Sequence, residues 1–173
     1  MWFTGLSGAG KTTVANVVEA ELEQRGHVVD HLDGDIVRTH LSKGLGFSKE
    51  DRDENIQRIG WVASRLARAG AAVIVSAISP YEAARRRVRA LVEPYAPFIE
   101  VYVATPLEEC ARRDPKGLYA AAFAGEISDF TGVSAPYEEP ASPEVRIDTT
   151  GVSPSESARI VLDRLEQLAV THA

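Results

Sequence analysis

A glycine-rich stretch near the start of the chain has the residue types and spacing of a phosphate-binding loop. It runs Gly5-Leu6-Ser7-Gly8-Ala9-Gly10-Lys11-Thr12 and matches G-x-x-x-x-G-K-[ST] in full. Glycines let the backbone curl so that successive N–H groups point at phosphate oxygens, where a Cβ atom would block the approach. Lys11 can neutralise β and γ oxygens, and the Thr12 hydroxyl can ligate Mg²⁺. Because the stretch lies between a predicted strand and a predicted helix, a chance glycine-rich turn is a poor alternative, and the sequence predicts nucleotide binding.

Two carboxylates, Asp33 and Asp35, follow the second predicted strand. In a doubly wound sheet that position lies at the carboxyl edge beside the phosphate-binding loop, where ligands bind. The third strand ends in Ile78-Ser79-Pro80, without the Asp that motor ATPases and GTPases carry there, and no N-K-x-D stretch indicates guanine recognition. The two acids can hold a metal and orient an attacking hydroxyl. The alternative, a turn with Asx chemistry, is weaker beside a phosphate site, so the pattern favours a small-molecule kinase.

A second group of residues suits an anionic acceptor. Arg38, Arg52 and Asn55 follow the two acids, and Arg52 and Asn55 lie three residues apart at the start of one predicted helix. Guanidinium groups hold phosphate and sulfate oxygens in bidentate fashion. Phe47, in a glycine-containing stretch just before that helix, is available to stack on a base.

The elements that must position these residues alternate between short apolar strands and amphipathic helices, which is typical of an α/β domain with a mainly parallel sheet. We predict a P-loop NTPase fold: a doubly wound five-stranded sheet with helices on both faces and a lid segment. The predicted strands are Trp2–Thr4, Val28–Leu32, Val73–Ala77, Phe98–Val103 and Val145–Ile147. The predicted helices are Lys11–Gln24, one from Ser48 to Gly70, Tyr81–Val92, one beginning at Pro106, and one from Ser153 to about Leu168.

Two segments between these elements carry separate expectations. The region from Asp114 to about Pro143 is rich in Gly and Pro and lacks periodicity, so we predict a lid there. The four arginines of Tyr81–Val92 indicate a solvated helix face. The chain begins inside its first strand, and we expect a truncated N-terminus or a domain cut from a longer protein.

Composition limits the possible classes. A length of 173 residues fits one domain, 1–173. The net charge of −6 argues against a nucleic-acid or membrane-surface binder, because no overall positive field would hold a polyanion. The single cysteine, Cys110, excludes an internal disulfide, and the four histidines show no metal-ligand spacing. We therefore expect a cytoplasmic protein.

Segments spanning nearly the whole chain, in the expected order, resemble the adenylylsulfate kinase family. Members phosphorylate the 3′-hydroxyl of adenosine 5′-phosphosulfate with ATP, giving 3′-phosphoadenosine 5′-phosphosulfate for sulfate assimilation. The matching segments are Trp2–Gly8, Leu32–Asp35, Leu45–Ser48, Asp51, Arg52, Asn55, Ile78–Pro80, Arg113–Tyr119, Gly125–Ile127, Phe130–Gly132 and Pro136–Glu138. The stretch Val37–Ser42 also resembles versions fused to ATP sulfurylase.

The resemblance implies roles for particular residues. It places ATP at Gly8, Ala9, Gly10, Lys11, Thr12 and Thr13. It places adenosine 5′-phosphosulfate at Asp35, Arg38, Phe47, Arg52, Asn55, Ile78, Ser79, Lys116 and Phe130, with Phe47 and Phe130 on either side of the adenine. Asp35, supported by Asp33, would orient the hydroxyl, and Thr12 and Asp35 would hold Mg²⁺. Ser79 matches a serine discussed as a phosphoryl carrier, although a hydrogen bond to the acceptor is its simpler role.

The chain also departs from the family pattern. Ala120, Ala121 and Phe123 stand where relatives carry basic residues, so the predicted lid has lost up to three positive charges. Two alternatives therefore remain: a kinase of the same fold for another small anionic acceptor, or a weakly active regulatory domain partnered with ATP sulfurylase. For the assembly we expect a homodimer, or association with or fusion to ATP sulfurylase.

Overall fold

The computed structural model describes residues 1–171, with side chains through residue 168. Its five strands are β1 (Trp2–Thr4), β2 (Val29–Asp33), β3 (Ala72–Ser76), β4 (Glu100–Val103) and β5 (Val145–Ile147). Its helices are α1 (Lys11–Gln24), α2 (Gly34–His40), α3 (Lys49–Arg68), α4 (Glu82–Val92), α5 (Leu107–Arg113), α6 (Leu118–Phe123) and α7 (Pro154–Thr171).

The five strands form one parallel sheet in the order β2-β3-β1-β4-β5. The short strand β1 lies in the middle, and successive side chains on it enter different cores, since Trp2 packs on one face and Phe3 on the other. Such alternation follows from the two-residue period of a strand. The predicted fold, with β3 buried inside the sheet, is confirmed.

One core lies on each face of the sheet. The first is built on α1 and α7, with Val14 and Val161 fully buried. The second is built on α3 and α4. These two helices pack closely because residue 60 is a glycine; a Cβ atom there would lie 2.5 Å from Val88 Cγ2. Burying both faces explains why the inner strands β1 and β3 are nearly continuous apolar runs, whereas the edge strand β2 contains Asp30 and His31.

The helix ends follow local capping chemistry. The Ser48 hydroxyl accepts from the Asp51 N–H at 3.1 Å at the start of α3. Ser153 and Glu156 form the reciprocal pair before α7, because each side chain accepts from the other's backbone N–H. Ser48 and Ser153 thus directly precede the two helices that the sequence predicts to begin at these residues.

Two short helices were not predicted. Asp33 caps α2 by accepting from the Asp35 N–H at 2.9 Å, so the two acids lie where β2 passes directly into a short helix. Asp114 accepts from the N–H groups of Tyr119 and Ala120, both at 3.0 Å, at the start of α6. The region predicted as a lid, residues 114–143, thus contains one helix, followed by turns. Over the described residues, no helix is long and apolar enough to cross a membrane.

The expectation of a solvated arginine face on α4 is half wrong. Arg86 and Arg87 are exposed, but the Arg85 side chain is 2% exposed and pairs with Glu100 at 2.9 Å. Arg89 makes a bidentate pair with Glu144, with contacts of 2.9 and 2.8 Å. Because Glu100 and Glu144 are distant in sequence, the local pattern could not reveal these pairs.

Candidate active site

A cavity of about 860 Å³ lies at the carboxyl ends of β1, β2 and β3. This volume is in the upper part of the range of small-molecule sites. All of the site residues predicted from the sequence border it except Ala9. They are Gly8, Gly10, Lys11, Thr12, Thr13, Asp33, Asp35, Arg38, Phe47, Arg52, Asn55, Ile78, Ser79, Lys116 and Phe130.

The phosphate-binding loop connects β1 to α1 and requires glycine at two positions, one for a close approach and one for a positive φ. Gly5 has φ of +148°, and a Cβ atom there would lie 2.5 Å from the Val103 carbonyl oxygen. Gly10 is the N-cap of α1 with φ of +99°, a conformation that side chains rarely adopt. Ala9 is a buried residue of the loop, and its carbonyl oxygen accepts from the hydroxyls of Thr105 at 3.0 Å and Thr149 at 2.8 Å.

Lys11 begins α1 with its ammonium group turned back over the loop. It donates to the carbonyl oxygens of Gly5 at 3.0 Å and Leu6 at 2.7 Å. Burial lowers the pKa of Lys11 from 10.5 to about 8, while the neighbouring Cys110, Asp35 and Asp33 act to raise it. A buried ammonium that lacks full compensation is a strong point of attraction for an anion.

The two carboxylates at the junction of β2 and α2 have different partners. Asp33 accepts from the Thr12 hydroxyl at 2.7 Å, whereas Asp35 pairs with Lys116. The structure therefore brings Asp33, and not Asp35, to the Thr12 hydroxyl that the sequence proposed as a metal ligand. A carboxylate and a hydroxyl in contact form the hard oxygen set that Mg²⁺ prefers when it keeps several waters and phosphate ligands. Thr12 and Asp33 are therefore suited to bind a magnesium ion whose remaining ligands are water and the oxygens of a triphosphate.

The two arginines expected to hold an anion also organise the protein around the cavity. Arg52 is 9% exposed; it donates to the Phe47 carbonyl oxygen at 2.7 Å and contacts Thr131 and Asp129. Arg38 donates to the Gly46 carbonyl oxygen at 3.1 Å. Burial, followed by the like charge of Arg52, lowers the pKa of Arg38. The two guanidinium groups thus form one positive region that joins α2, α3 and the predicted lid.

Three further residues that were predicted to bind the acceptor, Phe47, Asn55 and Phe130, also border the cavity. Phe47 is 61% exposed, with the Arg38 guanidinium 4.3 Å from its ring centroid. Phe130 is half-buried and meets Tyr119 edge to face at 5.0 Å. Asn55 is buried, and its side-chain oxygen has no hydrogen-bond partner in the protein. A buried acceptor of this kind costs free energy unless a donor meets it, so Asn55 is suited to a ligand N–H.

Ser79 borders the cavity, but its hydroxyl already has protein partners. The residue is 1% exposed, accepts from the Trp2 indole N–H at 3.0 Å, and donates to the Ala77 carbonyl oxygen at 3.3 Å. Its φ of +41° is unusual for a residue other than glycine. Ile78, beside it, accepts from the Thr4 hydroxyl at 2.7 Å through its carbonyl oxygen.

Arg113 borders the cavity and was not among the predicted site residues. It donates to the Thr149 hydroxyl at 2.8 Å, to the Thr149 carbonyl oxygen at 3.0 Å and to the Gly8 carbonyl oxygen at 3.3 Å. It therefore joins the end of α5 to the loop after β5 and to the phosphate-binding loop. The segment Arg113–Tyr119 belongs to the family pattern, and that resemblance was the available signal.

The charges around the cavity have the opposite balance from the whole chain. Among the residues that border it are five cationic side chains, Lys11, Arg38, Arg52, Arg113 and Lys116, and two carboxylates, Asp33 and Asp35. The chain as a whole carries a net charge of −6. A local positive field in an acidic protein favours small polyanions without attracting large ones.

A phosphate-binding loop after the central strand β1, two acids at the end of β2, and a second cationic group in the same cavity define a P-loop kinase for a small anionic molecule. The family model described as adenylylsulphate kinase matches residues 1–148. The chain belongs to the adenylylsulfate kinase family.

Individual relatives agree with this assignment. The chain is 54% identical to an adenylyl-sulfate kinase of Picosynechococcus sp. over 97% of its own length and 93% of the relative. A structure described as the Mycobacterium tuberculosis APS kinase CysC in complex with AMPPNP and APS superposes with a TM-score of 0.92 and 48% identity, covering 95% of each chain. A probable bifunctional SAT/APS kinase of Sorangium cellulosum is 55% identical over 97% of this chain, which spans 28% of that protein.

Proposed function

We propose that this protein transfers the γ-phosphoryl group of ATP to the 3′-hydroxyl of adenosine 5′-phosphosulfate. The observation that carries the proposal is that one cavity contains both a complete phosphate-binding loop and a second group of cationic and aromatic residues, with Asp33 and Asp35 beside the loop. We call this second group the acceptor side; it consists of Arg38, Phe47, Arg52, Asn55 and Phe130. Membership of the adenylylsulfate kinase family supports the choice of acceptor.

The donor half of the reaction relies on the loop. Gly8–Thr13 offer successive backbone N–H groups and the start of α1 to the phosphates. Lys11 stabilises charge that spreads over the γ-phosphoryl oxygens as the bond to the β-phosphate lengthens. A magnesium ion held by Thr12 and Asp33, when bound, neutralises phosphate charge.

The acceptor half relies on the residues around α2, α3 and the predicted lid. Arg38 and Arg52 supply positive charge for the phosphosulfate group, and the unpartnered Asn55 oxygen accepts from an N–H of the adenine. Phe47 and Phe130 offer ring surface to the base. Asp35 accepts the hydrogen bond of the ribose hydroxyl and, on transfer, its proton, while Lys116 forms an ion pair with the same carboxylate.

In-line transfer between two bound nucleotides needs no protein nucleophile. The buried Ser79 hydroxyl, with its two protein partners, agrees with direct transfer. Ser79 therefore helps to form the wall of the acceptor side. The residues from 114 to 143, with Lys116 and Phe130 on the cavity, act as the lid.

The test is identification of the product. The protein is incubated with ATP, Mg²⁺ and adenosine 5′-phosphosulfate, and the position of the new phosphate is assigned by ³¹P–¹H NMR. We expect phosphate on the 3′-hydroxyl and no reaction without Mg²⁺. Phosphate at another position, or ATP hydrolysis without a phosphorylated acceptor, would contradict the proposal.

Assembly is a separate part of the proposal. Because the chain is similar to a bifunctional SAT/APS kinase, we infer that it acts together with ATP sulfurylase in sulfate assimilation. It does so either as a homodimer or as part of a larger complex that contains ATP sulfurylase. Light scattering on the purified protein, alone and with ATP sulfurylase, measures this directly. A strictly monomeric protein that does not associate would contradict it.

A further inference from the structure

A strained turn forms part of the cavity wall. In this turn, Ile78–Pro80, Ser79 has a φ of +41°. Such conformations cost free energy and persist only where the surroundings impose them. The Trp2 indole and the Thr4 hydroxyl donate to the turn at 3.0 and 2.7 Å from the buried side, and Arg85 donates to the Ser79 carbonyl oxygen at 2.7 Å. The shape of this wall is therefore imposed by groups outside the cavity.

Arg85 is almost fully buried and connects this turn to two other parts of the chain. Its Nε donates to Glu100 at 2.9 Å, one terminal nitrogen donates to Ser79, and the other donates to the Glu138 carbonyl oxygen at 2.7 Å. A planar guanidinium has a fixed fork of donors, so three partners in three directions define its position closely. Burial is the largest influence on Glu100, whose pKa is raised although Arg85 and Arg89 act to lower it.

The chain around Glu138 is joined to the same turn by further bonds. The Glu138 N–H donates to the Pro80 carbonyl oxygen at 2.8 Å, and the Glu82 N–H donates to the Glu138 carboxylate at 2.7 Å. The Tyr137 hydroxyl lies 2.8 Å from the Thr4 hydroxyl. Arg85 thus stands where the cavity wall meets the returning end of the predicted lid.

We propose that Arg85 is a positioning residue for the acceptor: it holds the turn Ile78–Pro80 and the chain at Glu138 together, so that the acceptor side of the cavity keeps its shape. This rests on the proposed function, because that function places the acceptor against this wall. The donor side has separate supports, since Thr105, Thr149 and Arg113 hold the phosphate-binding loop. Loss of Arg85 therefore weakens acceptor binding and leaves ATP binding intact.

The first variant is Arg85→Lys, which keeps a positive charge near Glu100 but cannot reach all three partners. Losing two hydrogen bonds predicts a rise in the KM for adenosine 5′-phosphosulfate of about tenfold or more. The Kd of a non-hydrolysable ATP analogue, measured by calorimetry, should stay within about twofold and kcat within about threefold. The matched control is Arg86→Lys on the same helix, where the side chain is 74% exposed; it should leave all three quantities unchanged.

A second variant separates positioning from stability. Arg85→Met with Glu100→Gln removes both buried charges, so no uncompensated carboxylate remains to unfold the protein. We expect a melting temperature near that of the parent together with the same rise in acceptor KM. This variant decides the question if Arg85→Lys does not fold.

The outcomes are distinct. If either folded variant has the same KM for the acceptor as the parent protein, the proposed role of Arg85 is wrong. It is also wrong if acceptor binding and ATP binding are weakened equally, because that result indicates a general structural role. A parent protein that does not phosphorylate adenosine 5′-phosphosulfate would instead overturn the proposed function.

Discussion

Lys11 holds its ammonium group in a buried position, and this makes ATP binding sensitive to pH. Burial is the main cause that lowers its pKa from 10.5 to about 8. Phosphate oxygens placed beside the ammonium group favour its charged form and raise the pKa again. When ATP binds to protein whose Lys11 is neutral, the side chain must therefore take up a proton from solution.

The size of this uptake follows from the pKa. With a value of about 8 in the free protein, Lys11 is neutral in roughly a tenth of molecules at pH 7, half at pH 8 and nine tenths at pH 9. If bound ATP keeps Lys11 charged throughout, binding takes up about 0.1, 0.5 and 0.9 protons at these three pH values.

The same shift has a consequence for folding. Between about pH 8 and 10.5 the unfolded chain holds the Lys11 proton and the folded chain does not. The free energy of unfolding of the ligand-free protein therefore rises with pH across this window, by roughly 3 kcal/mol in the contribution from Lys11.

Calorimetry measures the proton uptake directly. A non-hydrolysable ATP analogue is titrated with Mg²⁺ at pH 8.5 in two buffers with different ionisation enthalpies, and the difference in observed enthalpy gives the number of protons. The control is Lys11→Arg, whose guanidinium remains charged at every pH used. Equal enthalpies in both buffers for the parent, or the same uptake in Lys11→Arg, would refute the reasoning.

Three further predictions test other parts of the structure. Asp35→Asn, which is nearly isosteric, should leave ATP binding unchanged and lower turnover severely; turnover within about tenfold of the parent, roughly 1.4 kcal/mol, would exclude its proposed role. Ala120→Lys with Ala121→Lys should tighten ATP binding by about 1 kcal/mol or less, and added salt should suppress this gain. No gain at low salt would show that positive charge at these two positions does not affect ATP binding. Gly60→Ala should destabilise the fold by about 1–3 kcal/mol in urea unfolding through its clash with Val88, and Val88→Ala should relieve part of this cost; full stability of the single variant would contradict the packing.

The fold could be predicted because local and periodic signals agreed. Apolar runs of strand length alternated with helices whose ends carried capping residues, and Ser48 and Ser153 cap their helices as their positions indicated. The strand order could not be obtained in this way, because the pairing of β1 with both β3 and β4 joins residues far apart in sequence.

Most of the residues that border the cavity could also be predicted as candidate site residues, but their hydrogen-bond partners could not. The spacing of Asp33 and Asp35 showed that two acids lie beside the phosphate-binding loop. It did not show that Asp33 caps α2 and so turns toward Thr12, leaving Asp35 to pair with Lys116. That division depends on a short helix of seven residues, which propensity alone does not predict.

Arg85 shows the same limit more sharply. On the sequence it is one of four arginines in a helix, and a solvated face is the usual interpretation of such a run. Its partners Ser79, Glu100 and Glu138 come from three other parts of the chain. Only the folded arrangement shows that this charge is buried and compensated.

The central claim is that the acceptor carries a phosphosulfate group, and the most direct measurement compares two acceptors. Mg²⁺-dependent ADP formation is followed in a coupled assay with adenosine 5′-phosphosulfate and, separately, with AMP. A phosphosulfate presents two anionic groups to the two guanidinium groups of Arg38 and Arg52, whereas AMP presents one, so we predict stimulation by adenosine 5′-phosphosulfate and none by AMP. Equal stimulation by AMP would contradict the assigned acceptor while leaving the kinase assignment intact, and no stimulation by either would contradict both.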